Sequence, residues 1–468
     1  MSIKADSLNH YFGETDLYND LDIKKVAEAL SGSVRFATVA NPNQSLIDRK
    51  PFLGLHAYLE KTFPEVHKTF EKTIINEMSL LYYWPGSDAS LRPALFMGHL
   101  DVVPVAPGTE QDWDHEPYSG DIADDFVWGR GSADCKSMVI GVLSAAEYLI
   151  SKGHTPKRGI YLAFGHDEEV LGVNGAGEIA KHLESKGVKL EFVQDEGGGF
   201  MMGDDFGAPG QLLAKVDLFE KGYADVAVNC YSAGGHSSRP GSGTALGTVA
   251  KAIVALEANQ FQPEMNSVVV AMCKALAPYA TQEPFKTLMA DPEGHQKELM
   301  DFLLSDYKLA PMLHTTTACN MITGSPAPNV LPQKVECVVN FRLAPQDNLD
   351  DVLKHCKDLT EGLDLDIHLM KGRNPSGIAR SESYAMDVFK EAIGIFFPTA
   401  VTIPGLIMGG TDACYYEDLS DCCYRFRPYI DGMILGHTVH GTNERQGLPA
   451  LEQGVKAVIH IMKTTCMA

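Results

Sequence analysis

A histidine and an aspartate stand two residues apart at the end of a predicted strand. The apolar run at residues 93–97 is typical of a buried strand, and His99 and Asp101 follow it. In metal sites, a histidine binds the ion through one ring nitrogen while a nearby group, often a carboxylate, fixes the other nitrogen. The spacing therefore favours a metal-binding imidazole, although a histidine packed in the core would give the same local pattern.

A second candidate ligand lies in a glycine-rich stretch. Asp134 stands within residues 129–136, directly before an apolar run at 137–143 that predicts a helix. In α/β proteins, ligands bind at such strand-to-helix turns, outside the carboxyl ends of the strands. Asp134 is therefore a candidate metal ligand. The alternative is a helix cap, because aspartate is also a preferred residue at helix N-termini.

Two further predicted strands end in acidic residues. The apolar run at 159–164 is followed by the acids at 167–169, and the run at 190–193 is followed by Asp195 and Glu196. Adjacent buried carboxylates are unfavourable unless a cation lies among them. Because the carboxyl ends of parallel strands meet at one edge of the sheet, these strand ends predict a two-metal site rather than scattered surface carboxylates.

The elements that position these residues indicate two domains. In the first part of the chain strands alternate with helices, which is typical of an α/β fold with a mostly parallel sheet and helices on both faces. From Gly222, a strand-helix-strand-strand-helix-strand order, interrupted by a helical stretch at 263–311, predicts an inserted ferredoxin-like α+β domain. We therefore expect a catalytic domain formed by residues 1–221 and 376–468, and an inserted lid domain at 222–375.

The composition excludes some classes of function. The 468 residues carry 39 basic and 61 acidic side chains, for a net charge of -22, so we expect neither nucleic acid nor an anionic membrane as a partner. No apolar stretch has the length of a membrane span, and the first ten residues lack the apolar core of a signal peptide. The ten cysteines are scattered and form no CxxC motif, which is typical of a reducing compartment. We therefore expect a cytoplasmic protein.

Eight motifs occur along the chain in a fixed order. They are GHLDVVPV, WGRGSADCK, GHDEEVLG, DEGG, GGHSSRP, NFRL, GGTDA and HGTNE. In this order they resemble the aminoacylase/carboxypeptidase family of dinuclear zinc hydrolases, which includes ArgE, DapE and carboxypeptidase G. The phrase LLYYWPG at 80–86 and the helical stretch at 263–311 most resemble the branch of carboxypeptidase S and the N-acyl-amino-acid hydrolases.

The resemblance implies a role for each candidate residue. The implied metal ligands are His99, Asp134, Glu169, Asp195 and His440. Asp134 would bridge two Zn²⁺ ions, or Co²⁺ or Mn²⁺ as substitutes, lying about 3.5–4 Å apart. Glu168 resembles the general base, and Asp101 resembles the carboxylate behind His99. The other implied groups are the oxyanion donor His236, often contributed by the partner subunit of a homodimer, the carboxylate-binding residues Arg342 and Asn329, and Gly409 and Gly410 beside the substrate backbone.

Several assignments have alternatives that the sequence leaves open. His437 could replace His440 as a ligand, although HGTNE carries the family pattern at His440. His166 could cap a turn, Arg342 could belong to a structural ion pair, and Asp412 could cap a helix or turn rather than bind metal.

Position 135 departs from the carboxypeptidase S branch. That branch commonly has an aspartate after the bridging aspartate, with a cis peptide bond between them, whereas this chain has Cys135. No ligand is lost, so we expect an active enzyme. The resemblance implies a hydrolase that cleaves an amide next to a free carboxylate and releases an amino acid from a short peptide or an N-acyl amino acid. The alternatives are a dipeptidase and a catalytically silent homologue that binds peptides.

Overall fold

The computed structural model describes residues 5–430 and 438–467. In chain order, the strands are β1 Glu71–Ile75, β2 Ser79–Trp84, β3 Ala94–His99, β4 Ile122–Ala123, β5 Phe126–Trp128, β6 Ile160–Gly165, β7 Phe192–Asp195, β8 Gly199–Met202, β9 Leu212–Glu220, β10 Gly222–Tyr231, β11 Gly235–His236, β12 Thr316–Thr323, β13 Val330–Leu331, β14 Lys334–Leu343, β15 Asp366–Arg373, β16 Ala400–Ile407, β17 Cys423–Arg425 and β18 Arg445–Gly447. The α-helices are α1 Ile23–Val34, α2 Arg49–Thr62, α3 Pro64–Thr69, α4 Lys136–Ser151, α5 Ala176–Ser185, α6 Ala245–Ala258, α7 Ser267–Leu276, α8 Phe285–Ala290, α9 Gln296–Leu304, α10 Leu349–Leu359, α11 Tyr384–Phe396 and α12 Leu448–Cys466.

The larger sheet is mixed, and its centre is parallel. Its strand order is β1-β2-β6-β3-β7-β17-β9-β16, with β8 paired to β9. The neighbours β6, β3, β7 and β17 all run parallel to one another. Strands β3 and β6 are buried along their whole length, as expected for parallel strands covered on both faces. The carboxyl ends of these strands therefore lie side by side.

Helices cover both faces of this sheet. Helix α4 is buried on most of its surface because it lies against β3 on one side and α12 on the other. The opposite face of the sheet packs against α5 through a second apolar cluster that includes Leu95, Ile179 and Tyr416. Within residues 5–430 and 438–467, no helix is both long enough and apolar enough to cross a bilayer.

The inserted domain has its own antiparallel sheet and its own core. Its sheet has the order β12-β14-β10-β15, with all its pairs antiparallel, and α6 and α10 pack on one face of it. Alternate residues of β14 are buried, which is the period-two pattern of a strand with one face on a core. An α/β fold with an inserted α+β domain is confirmed.

The helical stretch within the insertion packs elsewhere. Helices α7, α8 and α9 join the apolar core of the larger domain and not the core of the small sheet. The small sheet itself starts at Gly222, where β10 begins, and ends at Arg373. The boundaries 222 and 375 remain a prediction, and residues 263–313 lie between them in the chain while packing with the catalytic domain.

Candidate metal centre

Three adjacent parallel strands deliver the candidate ligands to one sheet edge. His99 is the last residue of β3, Glu168 and Glu169 follow β6 in a short 3-10 turn, and Asp195 ends β7. A Cβ atom at Gly165, where β6 ends, would lie 2.6 Å from Asp412 Oδ2, so any larger residue there would displace the Asp412 side chain. The convergence of strand ends predicted from the sequence is present.

Asp134 lies between two imidazoles. Its Oδ1 atom is 3.2 Å from His99 Nε2, and its Oδ2 atom is 3.0 Å from His440 Nε2. Glu169 Oε2 lies 3.1 Å from the same nitrogen of His440. One carboxylate thus presents each of its oxygens to a different histidine, which is the geometry that a bridging ligand requires. His437, the alternative to His440, lies outside the described residues.

Among the residues that the structure describes, the donor atoms fall into three overlapping groups, each with atoms within 4.8 Å of one another. The groups are His99, Asp134, Cys135 and Glu196; His99, Glu168 and Glu169; and Asp134, Glu169 and His440. Histidine nitrogens and carboxylate oxygens are the donors that Zn²⁺ and similar divalent ions take in catalytic sites. Glu169 Oε1 is buried and has no hydrogen-bond partner among the described residues, as expected of an atom placed to bind an ion.

Glu196, and not its neighbour Asp195, lies in the group around His99. Glu196 Oε1 is 3.2 Å from His99 Nε2. Asp195 Oδ1 instead accepts the backbone N–H of Glu196, and its Oδ2 is buried without a partner in the described part of the chain. Successive side chains on an extended strand point to opposite faces, which separates the two carboxylates. Asp195 as a ligand stays a prediction, and the structure adds Glu196 to the candidates.

Burial and mutual repulsion shift the titration of the acids. Burial raises the pKa of Asp195 to about 6, and burial together with the charge of Asp134 raises the pKa of Glu196 to about 8. Hydrogen bonds to Asp134 and Glu169 raise the pKa of His440 to about 10. Asp134 is buried, which would raise its pKa, but hydrogen bonds from His440 and His99 lower it. The cluster is therefore a concentration of negative charge that a cation stabilises.

Asp101 acts on more than His99. The Nδ1 atom of His99 lies 3.0 Å from the backbone oxygen of Asp101 and 3.4 Å from its carboxylate. The carboxylate itself accepts the backbone N–H groups of Glu168 and Glu169, at 3.2 and 3.1 Å. Asp101 therefore fixes the His99 imidazole through its backbone oxygen, and it fixes the turn that carries Glu168 and Glu169 through its side chain.

The peptide bond that joins Asp134 to the next residue has the expected conformation. The peptide bond between Asp134 and Cys135 is cis, as the family resemblance implies. The Cys135 side chain is buried, and its Sγ atom accepts the backbone N–H of His99 at 3.3 Å. Burial raises the pKa of this thiol well above its ordinary value.

The predicted groups on the inserted domain form no hydrogen bond or ion pair with the donor cluster among the described residues. His236 is exposed in β11, and its Nδ1 atom lies 2.8 Å from Ser238 Oγ. Asn329 is close to it, because the Asn329 carbonyl accepts the N–H of Ser237. Arg342 is half-buried and stacks 4.8 Å over the ring of Tyr223. Among the described residues it forms no ion pair with a carboxylate, so the structural ion pair considered above is not present there.

The GGTDA loop follows β16 and lies against a buried ion pair. A Cβ atom at Gly410 would come within 2.5 Å of Arg373 Nη2, whereas one at Gly409 would meet nothing closer than 3.8 Å. The Thr411 N–H and hydroxyl both bond to Glu220, which also pairs with Arg373. Thr411 provides the N-cap of the short helix that follows, because its hydroxyl accepts the N–H of Ala413.

Four more residues lie in or beside the site; the sequence suggests at most a capping role for Asp412 and His166, and none for Arg130 and Glu444. Asp412 is buried, and its Oδ2 atom has no partner in the described part of the chain. His166 is also buried, and its Nδ1 atom lies 2.6 Å from Ser79 Oγ, which is a contact between side chains and not a turn cap. Arg130 and Glu444 form a buried pair at 2.6 Å beside Asp134. Both belong to motifs quoted above, WGRGSADCK and HGTNE, and membership of these motifs is the signal that could have identified them.

Comparison with known proteins identifies the family. The sequence profile of peptidase family M20/M25/M40 matches residues 95–464. The chain belongs to this family. The resemblance inferred from the motifs is thereby confirmed, and the protein is a metallohydrolase of the M20 type.

Named relatives of the M20 chain include peptidases and N-acyl-amino-acid hydrolases. It is 31% identical to probable carboxypeptidase S-like 2 of Dictyostelium discoideum, over 96% of this chain and 87% of that one. It is 32% identical to N-fatty-acyl-amino acid synthase/hydrolase PM20D1 of Bos taurus, over 93% and 87%, and 32% identical to carboxypeptidase S of Saccharomyces cerevisiae, over 90% and 81%. The fold is similar to that of the M20 metallo-carboxypeptidase Sso-CP2 of Sulfolobus solfataricus, with a TM-score of 0.69, 16% identity and coverage of 94% and 98%.

Proposed function

We propose that this M20 protein is a two-metal hydrolase that uses zinc and releases an amino acid from an N-acyl amino acid or a short peptide. The single observation that carries the proposal is the position of Asp134, with one oxygen 3.2 Å from His99 Nε2 and the other 3.0 Å from His440 Nε2. That arrangement suits a carboxylate shared by two ions. Relatives named as carboxypeptidase S and as N-fatty-acyl-amino acid synthase/hydrolase support the substrate class.

Two divalent ions held by these donors would lower the pKa of a water and polarise the scissile carbonyl. Glu168 would take the proton of that water. This role is supported by the position of its Oε2 atom, 3.9 Å from His99 Nε2 at the edge of the donor cluster. Burial, and then the charge of Glu196, raise the pKa of Glu168 well above its ordinary value. Once the carboxylate has accepted the proton of the water, it can pass that proton to the leaving amine, as a general acid–base must.

The substrate carboxylate needs a cationic partner, which we assign to Arg342. Its guanidinium is held flat over Tyr223, and a planar fork of donors matches a carboxylate. Asn329 would add a side-chain amide donor from the neighbouring loop. Gly409 is open on the side where a Cβ would be, which leaves room for the substrate backbone.

His236 would supply the oxyanion donor from the partner subunit of a homodimer. In this chain it is exposed and bonds to Ser238 rather than to the donor cluster, which supports a role across a subunit interface. Sedimentation should therefore give a dimer, and His236→Ala should lower kcat about 10²–10³-fold, the usual effect of losing one oxyanion donor. A fully active monomer would rule this role out.

A cytoplasmic location is also part of the proposal. It is supported by the ten cysteines, all of which are free thiols, because reduced cysteines are the usual state in that compartment. Measuring the thiol content of the protein isolated from its native cell would test it: disulfide-linked protein would contradict it.

The decisive experiment is hydrolysis of a panel of N-acyl amino acids and dipeptides by metal-stripped protein, with and without added Zn²⁺. Zinc-dependent release of an amino acid is expected, and the preferred group distinguishes an aminoacylase or carboxypeptidase from a dipeptidase. Glu168→Gln should lower kcat about 10²–10⁴-fold and leave metal binding intact. A protein that binds two ions and turns over no member of the panel would instead be a binding homologue.

A further inference from the structure

A buried ion pair joins the two loops that carry Asp134 and His440. Arg130 Nη1 lies 2.6 Å from Glu444 Oε2, and the side chains are 3% and 0% exposed. The two residues are 314 positions apart in the chain. They meet because β18, which begins just after Glu444, pairs antiparallel with β5, which ends just before Gly129. The roles proposed above use neither residue.

Glu444 fixes the backbone that leads to Asp134. Its Oε1 atom accepts the N–H groups of Gly131, Ala133 and Asp134, each at 3.0 Å. Three converging donors stabilise a carboxylate strongly, because hydrogen bonds to a charged acceptor are about twice as strong as neutral ones. Asp134 therefore keeps its position through its own N–H and through the turn that precedes it.

Arg130 fixes the backbone at His440. Its Nη2 atom donates to the carbonyl oxygens of His440 and Gly441, at 3.2 and 3.1 Å. His440 has a φ of 60°, in the left-handed region that residues other than glycine rarely adopt. Such a conformation persists only where the surroundings hold it, and the guanidinium provides that support. Trp113 covers the guanidinium at 5.4 Å.

We propose that Arg130 and Glu444 are positioning residues that set the distance between Asp134 and His440, and so determine the affinity for the ion that these residues share with Glu169. This proposal rests on the two-metal function proposed above. The other ion depends less on the pair, because His99 is fixed by β3 and by the backbone of Asp101, and Glu196 follows β7. Because Asp134 would also bind the other ion, loss of the pair should weaken binding of both ions, but binding of the ion at His440 and Glu169 more strongly.

The test is a titration of the metal-free protein with Co²⁺, in which binding is measured by calorimetry and by the visible absorption of the bound ion. Glu444→Gln keeps the volume of the side chain but replaces one acceptor oxygen with an NH₂ group. Arg130→Lys keeps the charge but cannot reach Glu444 and both carbonyls together. The control is Glu147→Gln, because Glu147 also accepts two backbone N–H groups, those of Glu65 and Val66, at the start of α3.

Wild-type protein and Glu147→Gln should bind two ions with the same affinities. Glu444→Gln should bind the ion at His440 and Glu169 about 10–100-fold more weakly, which is the usual effect of removing a group that orients a ligand, and the other ion with a smaller loss of affinity. Arg130→Lys should weaken the same ion, and it carries the test if Glu444→Gln does not fold. Equal weakening of both ions, or wild-type affinity for both, would overturn the proposal. Failure of wild-type protein to bind a pair of ions would instead overturn the two-metal function on which the proposal rests.

Discussion

Replacing Asp101 by asparagine should displace the general base without removing any metal ligand. The Asp101 side chain is fully buried, and its two oxygens accept the backbone N–H groups of Glu168 and Glu169 separately. Asparagine offers one oxygen and one NH₂ group in the same space. One of the two backbone N–H groups would then face a donor, and the acidic turn would have to move.

The size of the effect follows from these contacts. A hydrogen bond to a charged group contributes about 1.5–3 kcal/mol, and a buried donor left without a partner costs about 1–3 kcal/mol. Because both figures describe the loss of the same hydrogen bond, Asp101→Asn should lower the free energy of unfolding by about 1.5–3 kcal/mol. Because the same turn carries Glu168 and Glu169, kcat and metal affinity should each fall about 10–100-fold.

The assay compares Asp101→Asn with Asp167→Asn. Asp167 is also buried and accepts two backbone N–H groups, but from Asn174 and Gly175, which are not candidate ligands. Urea unfolding should show a similar loss of stability in both variants. Only Asp101→Asn should also lose kcat on the substrate chosen from the panel, with lower metal content by mass spectrometry. Wild-type kcat and metal affinity in Asp101→Asn would refute the reasoning.

Two further predictions concern the loop after β16 and a buried lysine. Gly410→Ala should lower stability and activity, because its Cβ would lie 2.5 Å from Arg373 Nη2. Gly409→Ala should fold normally, because its Cβ would meet no atom closer than 3.8 Å, but it should raise the KM for the substrate. A wild-type KM in Gly409→Ala would show that the substrate does not approach this glycine. Burial lowers the pKa of Lys221 in the folded protein to about 7, whereas in the unfolded chain the lysine keeps its proton up to about pH 10. Between pH 7 and about pH 10 the unfolded state therefore binds more protons than the folded state. The stability of wild type relative to Lys221→Met should therefore rise with pH from 7 to 10, by up to about 1.4 kcal/mol per unit; a difference independent of pH in urea unfolding would contradict this.

The pattern of strand ends was predictable because it is local. Apolar runs that stop at His99, at Glu168 and at Asp195 are readable from periodicity, and parallel pairing of their strands brings the ends together. The alternation of β14 and the capping box at Asn348 are local signals of the same kind. No strand is predicted above for Leu212–Glu220, because acids that are buried in the structure, including Asp217 and Glu220, interrupt its apolar pattern.

Other features depend on contacts between distant parts of the chain. Helix α7 is amphipathic in sequence, but only the tertiary structure shows that it packs on the larger domain and not on the sheet beside it in the chain. Asp195 and Glu196 are adjacent carboxylates that the sequence cannot rank, and the direction of each side chain at the end of β7 places Glu196 beside His99.

For Asp134 and His440, the sequence indicates the identity of the two residues, and the tertiary structure sets the distance between them. The residue types and motifs indicate which side chains are candidate metal ligands, because that chemistry depends on the donor atoms themselves. Their distances depend on the pairing of β5 with β18 and on the Arg130–Glu444 contact between residues 314 positions apart. A periodic pattern reports the environment of a segment over a few turns or strand positions; it does not report which distant segment provides that environment.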